Sequence, residues 1–270
     1  MDDLRDVAIN LTAALIFSLL GFLAGVSRGL VRHYRNRVAN SFWRRLGDGG
    51  VRVVIAPHRR RSHVAWEPSG LYGAGDVEAL AELQRIRAVL HLPLARPVYG
   101  ADIGRNDIHG NLILIGGPDV NQVTRDALDG LGRMRRVGLA FQGGGRTAVR
   151  LHDTRNRRTY IAKRTPGHFF RRGEVVVDYG IIVFAENPFN PRRRMLIVAG
   201  GYGYATLAGL RILDDKRFLA HPVVRSGKPF ECLHEVNVVS GEVVKPEVEQ
   251  WDVRSLPLLH GSSGPAASNR

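Results

Sequence analysis

Two glycine-rich stretches could hold a phosphorylated ligand: Gly116-Gly117-Pro118-Asp119-Val120-Asn121 and Gly200-Gly201-Tyr202-Gly203-Tyr204-Ala205-Thr206. Each follows an apolar run and precedes a helix-like segment. Glycine lets backbone approach a ligand closely, and a helix start offers unpaired N–H groups and the positive end of the dipole. Asn121 and Thr206 add side chains able to hydrogen-bond a sugar or a base edge. A third strand end, Pro57-His58-Arg59, adds an imidazole and a guanidinium. Neither glycine loop has the lysine of a P-loop or the spacing of G-x-G-x-x-G. The competing reading is that the glycines only make tight strand–helix turns.

The candidates for acid–base catalysis are Glu67 and Asp178. Asp178 interrupts an apolar strand, where an acid is costly unless paired, so it either faces a ligand cleft or meets an arginine. Glu67, like Glu186, is a loop or strand-end carboxylate. The histidines at 58, 63, 91, 109, 152 and 168 follow no metal-binding spacing, so neither a metal nor a cofactor is expected. There is no G-x-S-x-G elbow, and the lone Cys232 excludes an intramolecular disulfide. Gln142-Gly143-Gly144-Gly145-Arg146 leads into a strand and reads as a hairpin turn.

The elements that must position these groups follow from hydrophobic periodicity. Arg52–Pro57, Asn111–Gly117, Val137–Gln142 and Arg194–Gly201 read as short strands, and the Ile-Ala-Pro, Leu-Ile-Gly-Gly and Ile-Val-Ala-Gly-Gly ends of the first, second and fourth are apolar throughout, as buried parallel strands are. Helices are expected over Val77–Leu90 with Asp76 as N-cap, from Pro118 to Met134, and after Gly201. Thr147–Ile161 reads as two short strands, Val175–Pro188 as a long strand, and Phe230 onward as a hairpin turning at Ser240-Gly241. The expected domain, 51–259, is a three-layer, mostly parallel Rossmann-like α/β sheet with added antiparallel strands and a C-terminal β-hairpin. In such sheets ligands sit at the carboxyl ends of the strands. Residues 260–270 read as a disordered tail.

The chain of 270 residues carries 39 Lys and Arg against 25 Asp and Glu, a net charge of +14, with only four lysines. Val7–Val26 holds no charged residue, matching the roughly 20 residues a helix needs to cross a bilayer. It is preceded by an acidic 1–6 and followed by Arg28, Arg32, Arg35, Arg37, Arg44 and Arg45. This predicts a single transmembrane helix at 7–26 in the inner membrane, N-terminus outside, with the domain in the cytoplasm. Residues 27–50 are then a basic helix on anionic headgroups, with Trp43 as interfacial anchor. Gly21 and Gly25 form a small-xxx-small pair suited to homo-oligomerisation. The arginine excess points to phosphate or acidic partners or to a GC-rich genome; with part of it beside the span, nucleic acid is the less favoured partner.

Asn111-Leu112, Gly116-Gly117-Pro118 and Asn121, with Asp178-Tyr179-Gly180, Asn187-Pro188-Phe189-Asn190 and Ala199-Gly200…Gly203…Thr206, resemble the N-L-x-x-x-G-G-P-x-x-N, D-Y-G, N-P-F-N and A-G-x-x-G-x-x-T elements of uncharacterised prokaryotic α/β domains. The resemblance covers Val98–Leu213 and implies a fold. Gly200-Gly201-Tyr202-Gly203 with Thr206 is also similar to the G-G-x-G-T loop of cytokinin-activating phosphoribohydrolases and their nucleotide-sensing relatives. Those carry a glutamate just after the threonine. Here Leu207-Ala208 stand there, and Tyr204-Ala205 intervene, so this likeness implies nucleotide binding without the same hydrolysis.

The resulting expectation is a membrane-anchored domain that binds a nucleotide or similar phosphorylated molecule, as sensor or effector. Its site is Gly116, Gly117, Asp119, Asn121, Gly200, Gly201, Tyr202, Gly203, Thr206, His58 and Arg59. Two alternatives stand beside it: an enzyme cleaving an N-glycosidic or phosphate bond on the same site, and an arginine-rich module for acidic lipid or nucleic acid.

Overall fold

Short apolar runs set the centre of the sheet. Val51–Ile55, Asn111–Ile115 and the second half of Asn190–Gly200 are almost wholly buried, because both faces of these strands are covered. The computed structural model describes residues 17–23, 25–27, 37–46, 50–58, 71–93, 97–100, 103–134, 137–143, 149–167, 173–246 and 250–257.

Along the chain come α1 (17–23 and 25–27), α2 (37–44), β1 (Val51–Ile55), α3 (Ala74–Val89), β2 (Pro97–Tyr99), α4 (Arg105–Ile108), β3 (Asn111–Ile115) and α5 (Gln122–Arg133). Then follow β4 (Leu139–Gln142), β5 (Arg150–Asp153), β6 (Arg158–Ile161), β7 (Lys163–Arg164), β8 (Val175–Asn187) and β9 (Asn190–Gly200). The chain continues with α6 (Gly203–Ile212), α7 (Lys216–Ala220), α8 (Pro222–Arg225), β10 (Phe230–Val239), β11 (Glu242–Val243) and β12 (Trp251–Ser255).

The main sheet runs β11-β10-β8-β9-β3-β1-β2, with β12 on β10 and β7 on β8. Side chains alternate between two cores. Val53, Ile113, Leu196 and Phe184 face α2, α3 and α6, whereas Val54, Leu112, Ile197 and Val183 face α5 and a separate sheet of β4-β5-β6. Buried charge ties the two sheets together. Arg254 Nη2 donates to Asp153 Oδ2 at 2.8 Å, and Gly138 N donates to Glu231 Oε2 at 2.8 Å, with both acids fully buried.

Three expectations are corrected. The sheet is mixed rather than mostly parallel and Rossmann-like: β1–β2, β1–β3 and β3–β9 are parallel, but β8–β9, β8–β10, β7–β8, β10–β11 and β10–β12 are antiparallel. The long hairpin β8–β9 forces this, since its second strand joins the parallel set and its first must oppose it.

Secondly, among the described residues no helix is long and apolar enough to cross a membrane. This overturns the single span over Val7–Val26, and with it the membrane assignment, the inner-membrane location and the orientation read from the flanks. Residues 1–16, Arg28, Arg32, Arg35 and the tail from 258 lie outside the described residues. Cβ atoms at Gly21 or Gly25 would meet nothing within 4 Å.

Thirdly, Trp43 is no interfacial anchor. It is 1% exposed and packs edge-on against Phe42, which meets Phe184 and Phe230. Leu46 is also buried, so α2 closes the domain core. Arg45 is engaged within the fold through the carbonyls of Val224 and Arg225, while Arg37 and Arg44 are exposed.

Candidate functional site

Strands β1, β3 and β9 run in parallel, so Pro57-His58, Gly116-Gly117 and Gly200-Gly201 reach the same sheet edge. The two glycine loops touch. Gly116 N donates to Val198 O at 3.1 Å, and a Cβ on Gly117 would lie 3.1 Å from Gly200 O. Strand β8 starts at this edge in the opposite sense, pairing Gly180 with Gly200, which brings Asp178 beside the second loop. Helix α3 crosses α6 at Gly75 and Gly203. A Cβ on Gly75 would sit 2.4 Å from the Gly203 carbonyl carbon, so this approach requires glycine.

Several polar groups here are fully used in holding the loops. Asn121 is completely buried. Its Oδ1 accepts from Val123 N and Thr124 N at 3.1 and 3.3 Å, and its Nδ2 donates to Val54 O and Ile115 O at 3.2 and 3.1 Å. It caps α5 and has no capacity left for a sugar or base.

Asp178 is equally buried. Its Oδ1 accepts from Tyr179 N at 2.9 Å, and its Oδ2 accepts from Tyr202 N at 3.0 Å and Ala205 N at 2.9 Å. The carboxyl therefore caps α6 from a neighbouring strand and fills the anion position at that helix start. Burial pushes its pKa up to about 7, against the pull of the three N–H donors. Asp178 is thus a positioning residue.

His234 completes the clamp. Its Nε2 lies 2.9 Å from Ala205 O, and because a carbonyl only accepts, Nε2 carries the hydrogen. Burial holds its pKa down to about 4, so the ring is neutral, and Nδ1 has no partner. Gly180 and Gly209 leave room for the ring, since Cβ atoms there would lie 2.7 and 3.3 Å from it.

Asp76 is different. Helix α3 begins at an N-cap of Gly73 with no side-chain cap, which places Asp76 inside the first turn rather than at the cap. It is 8% exposed and hydrogen-bonded to Thr206. Burial raises its pKa to about 6, Thr206 opposes the rise and the Asp119 charge adds to it. Its Oδ2 and His58 Nε2 both lie 3.4 Å from the point where a Gly73 Cβ would stand.

Asp76 and His58 open onto a cleft of about 670 Å³ between the start of α3, the first turns of α6 and the β10–β11 turn. Tyr202 and Tyr204 supply aromatic surface there, and Arg211 reaches in while donating Nη1 to Val243 O at 2.8 Å. Arg164 stacks its guanidinium 4.9 Å above the Tyr202 ring. Among the described residues of the lining, Asp76, Glu78 and Glu242 stand with one Lys or Arg, Arg211. In a chain of +14, the described lining thus carries more acid than base.

Comparison with protein-family models, curated proteins and solved structures finds no match. Function therefore rests on the geometry.

Of the residues expected at the site, His58, Tyr202 and Gly203 line the cleft. Gly116 and Thr206 stand behind Asp76, while Gly117, Gly200 and Gly201 shape the edge. Asp119 is exposed and lines a different cavity of about 880 Å³ between α5 and β4, whose titratable side chains are all exposed. Arg59 and Glu67 lie outside the described residues. Sequence reasoning missed Asp76 as a site residue, and missed Tyr204 and Arg211 in the helix that follows the second loop.

Proposed function

We propose that the carboxyl-edge cleft binds a nucleoside or nucleotide-like small molecule reversibly, as the ligand site of a sensor or effector. The observation that carries this reading is Asp76, a nearly buried carboxyl aimed into the cleft beside the uncapped start of α3. A carboxylate on a helix start beside the carboxyl ends of the parallel strands suits a ribose diol, since its oxygens accept hydrogen bonds from the two hydroxyls. Tyr202 and Tyr204 offer faces for a base. The excess of acid in the lining favours gripping the sugar and base, with any phosphate held at the uncapped α3 N-terminus or by Arg211. A cleft of this volume suits a ligand of that size.

The test is calorimetry with a panel of nucleosides and nucleotides against wild type, Asp76→Asn and Tyr204→Ala. The expected result is saturable 1:1 binding that Asp76→Asn weakens by about tenfold or more, the cost of losing a charged hydrogen-bond partner. No saturable binding across the panel, or equal binding by Asp76→Asn, refutes the reading.

The raised pKa of Asp76 favours a second reading, in which it donates a proton to a leaving base during N-glycosidic cleavage. Release of free base from a nucleoside, abolished in Asp76→Asn, distinguishes turnover from binding. Asp178 is not available for that role, being committed to three backbone N–H groups.

A further inference from the structure

A second cleft, of about 510 Å³, lies between α2 and the α7–α8 segment. Its described lining holds three arginines, Arg37, Arg45 and Arg225, with Ser41 and no carboxylate. This is the reverse of the carboxyl-edge cleft. Beneath the arginines the floor is apolar: Phe42, Leu219 and Val224 are each 2% exposed or less.

Arg45 is fixed before any ligand arrives. Its Nη1 donates to Val224 O at 3.1 Å and its Nη2 to Arg225 O at 3.0 Å. The turn after α8 folds over it through Gly227, whose φ of +72° places a would-be Cβ 2.7 Å from the guanidinium carbon. Arg37 and Arg225 are exposed on the rim. Arg45 Nη2 also lies 3.4 Å from Ser41 Oγ, so this side chain lends the cleft fixed positive charge, while the guanidinium forks that match phosphate oxygens are those of the exposed Arg37 and Arg225.

We propose that this cleft is a binding site for a small organic phosphate, with the phosphoryl group between Arg37, Arg45 and Arg225 and an apolar body against Val38, above the closed floor of Phe42, Leu219 and Val224. The concavity, rather than a flat basic face, favours a small molecule over a nucleic-acid strand. The site is independent of Asp76.

Phenyl phosphate and inorganic phosphate are the probes, titrated by calorimetry into the full chain. Phenyl phosphate is expected to bind 1:1, about tenfold or more tighter than inorganic phosphate, because its ring covers apolar area that Val38, 41% exposed, presents in the cleft. Arg37→Gln combined with Arg225→Gln should weaken phenyl phosphate about tenfold or more, with the melting temperature of the free protein unchanged, since both side chains lie on the surface. Asp76→Asn should leave it unaltered. If the double variant fails to fold, each single variant carries the same expectation in part. Equal affinity for the two probes overturns the ligand class. Undiminished binding by the arginine variants, or loss in Asp76→Asn, overturns the site. An oligonucleotide that displaces phenyl phosphate and binds more tightly through the same arginines overturns the small-molecule assignment.

Discussion

Replacing Asp76 with Asn should stabilise the protein while weakening its ligand. Burial penalises the charge of this carboxyl and pushes its pKa up to about 6 in the folded chain, against an ordinary value of 3.8. A raised acid pKa means that the native state holds the proton more firmly than the unfolded chain, so this group's contribution to stability falls as pH rises from about 4 to about 7. Linkage gives a penalty of about 1 kcal/mol at pH 4.5, growing to about 3 kcal/mol at pH 8. Asparagine keeps the shape and a hydrogen bond to Thr206 but cannot ionise. The advantage of Asp76→Asn over wild type should therefore widen by about 2 kcal/mol between pH 4.5 and pH 8. Urea denaturation of both proteins at the two pH values measures it, with the change in slope checked so that midpoints are comparable. A gap that stays constant, or that narrows toward pH 8, refutes the placement of a buried, ionisable carboxyl at the cleft. A binding site kept at the expense of stability is the trade expected of a functional group.

Asp178→Ala should lose about 3–6 kcal/mol in the same assay, because three buried N–H groups lose their acceptor, and Asp178→Asn should lose less, since its amide oxygen can still serve two of them. Arg254→Ala should lose about 3–5 kcal/mol, since it strands the buried Asp153 carboxylate. Cys232 is fully buried and its thiol is pushed well above its ordinary pKa, chiefly by desolvation, so a thiol reagent at pH 8 should label it only as the protein unfolds. His234→Gln should lose less stability than wild type on acidification from pH 7 to pH 4. The unfolded wild-type chain takes up a proton at His234 that the folded one, with its pKa held near 4, resists.

The centre of the fold was legible because three apolar strands carry their own signature, and parallel strands must end at one edge. That is why the two glycine loops meet. The roles of particular residues were not legible, because long-range register decides them. Asp178 reads as an isolated acid in an apolar strand until Gly180 is seen opposite Gly200, which points it at the start of α6. Asp76 reads as a helix cap, but the contact between Gly75 and Gly203 starts α3 earlier and turns the carboxyl inward. The apolar Phe42, Trp43 and Leu46 of the basic helix do not say what covers them. The cover proved to be Phe184 and Phe230 of the sheet rather than a bilayer.

The crossing of α3 and α6 has a mechanical consequence. Helices usually keep their distance through side chains, which can exchange rotamers and give a little. At Gly75 and Gly203 the spacer is bare main chain, so the gap between the two walls is set as a pair of calipers is set, by a rigid pivot. A single methyl at either glycine would act as a shim there, and its effect would be read along the whole length of the jaws, from His58 at one end to Arg211 at the other.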